Sequence, residues 1–245
     1  SIDNNKDIRL LVACHIYTSE RTLEFLAKDK YDEVKIAVAH NPNISQQALN
    51  ILSKDRNKDI RLFVARHMFA SVGTLEFLAK DSDDSVRIAV VYHPNVSQQA
   101  LYSLASDKLI LIKMEIAQRP NIPAVTQTIL ANDSEISVRI ALAKNPITSA
   151  ETFELLAADR EPDVRVVVAE GRNISIAAQK TLVNDNEPTV RIVVARNSHT
   201  SPYILNLLAA DRLSDVRTVV ADNRNISMGT QRILANDNEI SVRSA

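Results

Sequence analysis

A basic residue returns along this chain at a fixed interval of 26 positions: Arg9, Lys35, Arg61, Arg87, Lys113, Arg139, Arg165, Arg191, Arg217 and Arg243, with no slip and no insertion. A constant interval of roughly 20–50 residues marks a repeat architecture, in which a unit too small to bury its own core stacks on the next. The 245 residues would allow one or two ordinary domains. The period instead predicts one continuous stack over 1–245.

Residues 33 to 55, "EVKIAVAHNPNISQQALNILSKD", show one unit. Two positions before the basic residue stand Asp7, Glu33, Asp59, Ser85, Leu111, Ser137, Asp163, Thr189, Asp215 and Ser241. Most are Asp, Ser or Thr, which cap the free N–H groups that open a helix, so a first helix is expected to be capped there. It runs about two turns through apolar residues and stops at a polar cluster such as Asn41-Pro42, because proline pushes its predecessor out of the α region. Being apolar nearly all round, it should be sandwiched. A serine column (Ser19, Ser45, Ser71, Ser97, Ser149, Ser175, Ser201, Ser227) caps a second helix, with Pro123 in its place in the fifth copy. That helix carries Leu26, Leu52, Leu78, Leu104, Leu130, Leu156, Leu182, Leu208 and Leu234, and an apolar column three residues earlier completes an amphipathic stripe. Glu24 with Lys28, and Glu76 with Lys80, have the spacing and order of favourable i,i+4 pairs on its outer face.

Composition agrees with helices: three Gly, no Trp, and 45% hydrophobic residues rich in Ala, Val, Ile and Leu. Basic and acidic residues number 29 and 30, and they divide evenly: 16 and 15 up to residue 120, 13 and 15 beyond. Neither half has the excess expected of a nucleic-acid or membrane-surface binder. Cys14 is the single cysteine, so there is neither a disulfide framework nor a thiolate cluster. No apolar run has the length of a membrane span and no signal-peptide pattern opens the chain, which points to a cytoplasmic protein without membrane contact. A start without Met and a stop at "SVRSA", partway into a tenth copy, suggest a fragment of a longer protein.

The pattern "VRIAVAxNPxxSxxxLxxLAxD" resembles the leucine-rich repeat variant family, helical relatives of the HEAT and armadillo repeats. The resemblance covers essentially the whole chain. It implies an all-α fold, a right-handed α-solenoid of about nine 26-residue helix–turn–helix repeats. It says little about function. Some relatives carry a Cys-rich iron–sulfur segment ahead of the repeats, which Cys14 alone cannot build, and no cofactor is expected.

Six residues before nearly every basic residue lies an acid: Asp29, Asp55, Asp81, Asp107, Asp133, Asp159, Asp185, Asp211 and Asp237. HEAT-like repeats show the same Asp-to-Arg spacing, and the resemblance implies ladders between units. A buried Arg needs such a partner, because removing one member of a buried pair costs several kcal/mol. The set Asp29, Lys35, Asp55, Arg61, Asp81, Arg87, Asp133, Arg139, Asp159, Arg165, Asp185, Arg191, Asp211 and Arg217 is therefore read as scaffold. The alternative reading is a basic groove that grips phosphates. The near-zero net charge favours the ladder.

Chemistry-bearing groups do not converge. His15, His67, His93 and His199 fall in or near solvent-facing turns, repeats apart, whereas metal ligands must lie about 2 Å from one ion. The serines are explained by capping, and Asn43, Asn95, Asn121, Asn173 and Asn225 read as turn residues or as a hydrogen-bonded ladder. There is no Gly-rich phosphate loop and no CxxC pair. No enzyme is expected. The fifth copy, "DKLILIKMEIAQRPNIP", loses both caps (Leu111, Pro123) and places Glu115 in an apolar column, where it should be paired with a basic residue or shifted in pKa. It is read as a functional site, a bend, or a seam near 105–125 between duplicated blocks. Copies 1 and 3 share "TLEFLAKD" while 6 and 8 share "LLAAD", so a double period changes character there.

One column changes in every copy: Cys14, His40, Arg66, Tyr92, Gln118, Lys144, Glu170, Arg196 and Asp222, at the end of the first helix. It suits either a surface that reads a partner one residue per repeat or a solvated column that drifts. Tyr92 and Tyr102 are the aromatic anchors of the fourth copy. The expected function is a non-catalytic protein- or peptide-binding scaffold using Arg66, Tyr92, Tyr102, Gln118, Lys144, Glu170 and Arg196. The alternative is a nucleic-acid-binding HEAT-like module that uses the Arg/Lys column.

Overall fold

A computed structural model describes residues 4–245. The described residues form nineteen helices and no strand. The first helices of successive repeats are α1 (Lys6–Cys14), α3 (Asp32–His40), α5 (Lys58–Arg66), α7 (Asp84–Tyr92), α9 (Ile110–Gln118), α11 (Ile136–Lys144), α13 (Pro162–Ala169), α15 (Pro188–Arg196), α17 (Ser214–Ala221) and α19 (Ile240–Ser244). Between them lie the second helices α2 (Glu20–Leu26), α4 (Gln46–Leu52), α6 (Val72–Leu78), α8 (Gln98–Leu104), α10 (Ala124–Ala131), α12 (Ala150–Ala157), α14 (Ile176–Leu182), α16 (Pro202–Leu208) and α18 (Met228–Ala235). The architecture is that of an α-solenoid of two-helix repeats. The chain falls into two compact units, one ending at Ile116 and one beginning at Ala117. Within each unit first helices pack on first helices (α1 on α3, α15 on α17) and second on second (α2 on α4, α12 on α14).

The core is periodic because the sequence is. Val34, Ile60 and Val86 in the first unit and Val138, Val164 and Val190 in the second are fully buried at one helix position, and Leu26, Leu52, Leu78, Leu130, Leu156 and Leu182 at another. Burying one such side chain contributes roughly 1.5–3 kcal/mol. The helices are only five to nine residues long, too short to persist alone. Stacking supplies what propensity cannot.

The serine column caps the second helices: Thr22 N–H donates to Ser19 Oγ at 3.3 Å, and Thr230 N–H to Ser227 Oγ at 3.0 Å. The first helices begin two residues earlier than the sequence suggested. Asn5, Asn57 and Asp83 are the caps, accepting from the N–H groups of Asp7, Asp59 and Ser85. Tyr31, Glu135, Glu161, Glu187 and Leu213 occupy the same position without a capping side chain. A cap there is dispensable because the acid two residues further out holds the turn: Asp29 Oδ1 accepts from Tyr31 N–H, Asp159 Oδ1 from Glu161 N–H, and Asp211 Oδ1 from Leu213 N–H.

Two other expectations are corrected. The column three residues before the core Leu is not uniformly apolar: Gln127 and Gln179 are buried in it. Each donates to the carbonyl of the turn ahead of its helix (Ile122, Ile174) and accepts from the N–H of a cap serine one repeat on (Ser149, Ser201). Glu24 and Glu76 do not pair with Lys28 and Lys80. They accept from the hydroxyls of Ser45 (2.7 Å) and Ser97 (2.6 Å), the caps one repeat on.

The start of the second unit departs most. Thr22, Thr74, Thr152 and Thr230 each bond the hydroxyl of their cap serine. Pro123 offers no hydroxyl, and Thr126 Oγ1 is buried without a hydrogen-bond partner. Asn121, just ahead, has φ 73°, the left-handed region that asparagine tolerates better than most residues.

Candidate binding surfaces

Arg9, Lys35, Arg87, Lys113, Arg139 and Arg191 of the basic column are buried, Arg61, Arg165 and Arg217 are half-buried, and Arg243, in the last helix, is exposed. Arg139 donates Nε to Asp159 Oδ2 at 2.7 Å and Nη2 to Oδ1 at 3.0 Å. Its Nη1 donates to the carbonyls of Asp133 (2.7 Å) and Ser134 (3.2 Å). The side chains of Arg139 and Asp159 are 3% and 6% exposed. Arg9, Arg61, Arg87, Arg165, Arg191 and Arg217 make the same paired contact with Asp29, Asp81, Asp107, Asp185, Asp211 and Asp237. Lys35 Nζ bonds Asp55 at 2.6 Å and Asp32 at 2.7 Å. Two parallel bonds from a planar guanidinium to a carboxylate are among the stronger charge-assisted arrangements.

The partner of each Arg is thus the acid twenty residues ahead, not the one six residues behind. Arg165 pairs with Asp185, and what it takes from Asp159 is the main-chain carbonyl, at 2.7 Å. The reason is geometric. The acid closes the turn between the second helix and the next first helix, so its carboxylate faces back to its own repeat and its carbonyl forward. Asp81, Asp159, Asp185, Asp211 and Asp237 each join two arginines: Asp81 holds Arg61 on its carboxylate and Arg87 on its carbonyl.

The titration of these groups follows. Burial alone would raise the Asp185 carboxyl, but the bonds from Arg165 and from Glu187 N–H outweigh it and hold the group below the usual carboxylate range. Asp81 and Asp211 behave alike. Asp237, more open, is pushed down to about 2, first by Arg217 and then by Glu239 N–H.

A second ladder, which was not singled out in the sequence, runs past the ends of the first helices. Asn41, Asn145, Asn197 and Asn223 each send Nδ2 to two main-chain carbonyls one repeat back; Asn145 reaches Ala117 at 2.8 Å and Arg119 at 2.9 Å. The signal was present as Asn recurring at this register. His93 takes the same position, buried, with Nε2 3.1 Å from the carbonyl of His67, so it is not a solvent-facing turn residue as expected. Asn43, Asn95 and Asn225, two residues on, also reach back one repeat, to Ile16, Met68 and Thr200.

The changing column is exposed in every copy: Cys14, His40, Arg66, Tyr92, Gln118, Lys144, Glu170, Arg196 and Asp222. In the first unit a cleft of about 240 Å³ is lined by Arg66, Ile88, Ala89, Tyr92 and Pro94. In the second, one of about 340 Å³ is lined by Glu170, Arg172, Val193, Arg196 and His199. Glu115 is half-buried on α9, and its carboxylate, together with burial, raises the pKa of Tyr92. Phe63 stacks edge-on against His40, ring centres 4.6 Å apart. Tyr102 is exposed on α8, a second helix, so it belongs to a different helix series from Tyr92.

Among the described residues no group of three or more His, Cys, Asp or Glu could hold a metal ion. No helix there is long and apolar enough to cross a membrane.

The fold is similar to a solved structure described as a leucine-rich repeat variant with a novel repetitive protein structural motif. The TM-score is 0.54 at 22% identity, over 89% of this chain and 86% of that one. At that identity the likeness establishes the fold. No protein-family model matches the chain, and no curated protein sequence matches it significantly.

Proposed function

We propose that this chain is a non-catalytic protein- or peptide-binding scaffold that contacts its partner with the residues ending the first helices. One observation carries this reading. At a single register the side chain is exposed in every repeat and changes from each repeat to the next (Arg66, Tyr92, Gln118, Lys144, Glu170, Arg196), while the residue before it stays small, apolar and buried (Ala65, Val91, Ala117, Ala143, Ala169, Ala195). Stacked repeats present such rows as extended surfaces. The row mixes cations, an anion, an amide and a phenol, which suits the mixed surface of a protein better than a phosphate backbone. Tyr102 adds an aromatic contact on the opposite helix series. The basic column contributes nothing to such a surface, since its donors are already bonded to Asp side chains and main-chain carbonyls.

The test is recovery of partners from a native lysate by the wild-type chain and by an Arg66→Ala/Tyr92→Ala/Lys144→Ala variant. Loss of specific partners with an unchanged denaturation midpoint supports the reading. Equal recovery by both overturns the choice of face.

A further inference from the structure

The outer faces of α2, α4 and α6 carry a strip that the row just described does not include. Lys28, Lys54 and Lys80 stand at one register in three consecutive repeats, all exposed. Glu24 and Glu76, one turn before Lys28 and Lys80, are turned to Ser45 and Ser97, and the residue one turn before Lys54 is the uncharged Asn50. Three residues before each lysine, on the same helix, lies a large apolar side chain: Phe25, 61% exposed, Ile51, half-buried, and Phe77, 49% exposed. Lys54 Nζ reaches across to the next repeat and lies 5.8 Å from the centre of the Phe77 ring. There a cleft of about 370 Å³ opens, lined by Lys54, Phe77 and Lys80 together with Arg61 and the carboxylates Asp55 and Asp81, which are already paired with Lys35 and Arg61.

A lysine after a helix C-terminus would ordinarily be explained by the helix dipole. The second unit argues against that explanation. Its second helices are seven or eight residues long and, from α12 onward, carry the same serine caps, yet the register holds Asn132, Ala158, Asn184, Ala210 and Asn236. Folding of this repeat therefore does not require a cation there. The apolar position is kept in most of the second unit, as Leu155, Leu207 and Ile233, with Thr181 in α14; the positive charge is what the first three repeats add, the fourth having Ser106 at that register.

We infer that this strip docks an acidic protein segment bearing large apolar side chains, a partner chemistry that rests on the protein-binding reading above and deepens it. The lysines are set one repeat apart, roughly 10 Å at normal helix packing distances, with rings between them. That spacing asks for separate carboxylates alternating with apolar groups. A continuous phosphate backbone would ask for a basic excess, and the first 120 residues are nearly neutral.

The experiment measures binding of a fluorescent peptide that alternates Glu pairs with Phe and Leu to the whole chain, at low and at physiological salt. A Lys28→Gln/Lys54→Gln/Lys80→Gln variant is expected to bind about tenfold more weakly or worse, and Phe77→Ala to weaken binding without changing its salt dependence. Both substitutions are at exposed positions, and an unchanged denaturation midpoint shows the fold intact. The Arg66→Ala/Tyr92→Ala/Lys144→Ala variant should bind the peptide as wild type does. If that variant loses the peptide and the lysine variant keeps it, the strip is wrong while the protein-binding reading stands. No peptide binding at low salt overturns the strip. So does a lysine-dependent interaction with duplex DNA or with vesicles containing phosphatidylserine when the peptide does not bind.

Discussion

Eight of the ten aromatic residues lie in the first unit, and seven of those (Tyr17, Phe25, Phe63, Phe69, Phe77, Tyr92, Tyr102) are exposed, whereas the second unit has a buried Phe153 and an exposed Tyr203. Beneath that difference the interiors coincide. Arg61 meets Asp81 and Arg191 meets Asp211 at the same 2.6 Å, and the core leucines Leu52 and Leu182 are both fully buried. Stability and recognition thus occupy separate registers of the same repeat. A large exposed ring contributes little to folding where it stands, so the concentration of such rings in one unit marks that unit as the one with more surface to offer a partner.

The strongest way to break this comparison is to cut the shared interior. Arg139→Ala in the second unit and Arg87→Ala in the first should each cost roughly 3–5 kcal/mol, since each leaves a buried carboxylate unpaired. Denaturant melts with amide exchange should place the damage in the neighbouring repeats. In double-mutant cycles Arg139 should couple strongly to Asp159. Arg165 should couple only weakly to the Asp159 side chain, because it holds the carbonyl, which Ala retains. Strong coupling of Arg165 to the Asp159 side chain would overturn the pairing described above. Next in size, Asn145→Ala removes two buried bonds to main-chain carbonyls and should cost about 1–3 kcal/mol; His93→Ala tests the equivalent site in the first unit. At the start of the second unit the sign reverses. Thr126→Val removes a buried hydroxyl that has no partner and should stabilise by about 1 kcal/mol, whereas Thr152→Val, whose hydroxyl is bonded to Ser149, should destabilise.

The smallest effect separates the units by pH. Burial first, then His40 and His93, lower the pKa of His67 from its ordinary 6.5. The unfolded chain therefore takes the proton more readily, and stability present above about pH 6.5 declines as pH falls through that value. This loss should appear in exchange rates of the first unit and vanish in His67→Gln. Below about pH 3.8, the ordinary value for Asp, the depressed carboxyls of Asp81, Asp185 and Asp211 begin to give up stability in both units as pH approaches their folded pKa values.

The helices, the serine caps, the leucine core and the exposure of the changing column were legible in the sequence because each follows from local spacing. What was misread depends on a neighbour one repeat away. Asp159 stands six residues from Arg165 and twenty from Arg139, and spacing alone favours the nearer. Glu24 and Lys28 have ideal helical spacing, but a hydroxyl from the next repeat offers the carboxylate a better-placed donor. Gln127 and Gln179 look out of place in an apolar column until the cap amide and the turn carbonyl they satisfy are seen. Lys28 and Lys80 stood out only as partners for glutamates that turn elsewhere, and Lys54, with Asn50 one turn before it, did not stand out at all.

The sharing of one acid between two arginines, as at Asp81 and Asp159, bears on how such a chain can change its length. Twenty residues separate Arg139 from Asp159, and six more lead to Arg165, with both intervals closed by hydrogen bonds. Together the two intervals span a whole repeat, so no position lies outside them. An inserted or deleted residue anywhere would swing an acid or an arginine about a helix and cut one rung. The ladder therefore counts residues. Substitution at exposed registers is free to proceed, single-residue length changes are not, and the chain can lengthen or shorten only by whole units of 26. The absence of any slip across its whole length then records how strictly that count is enforced.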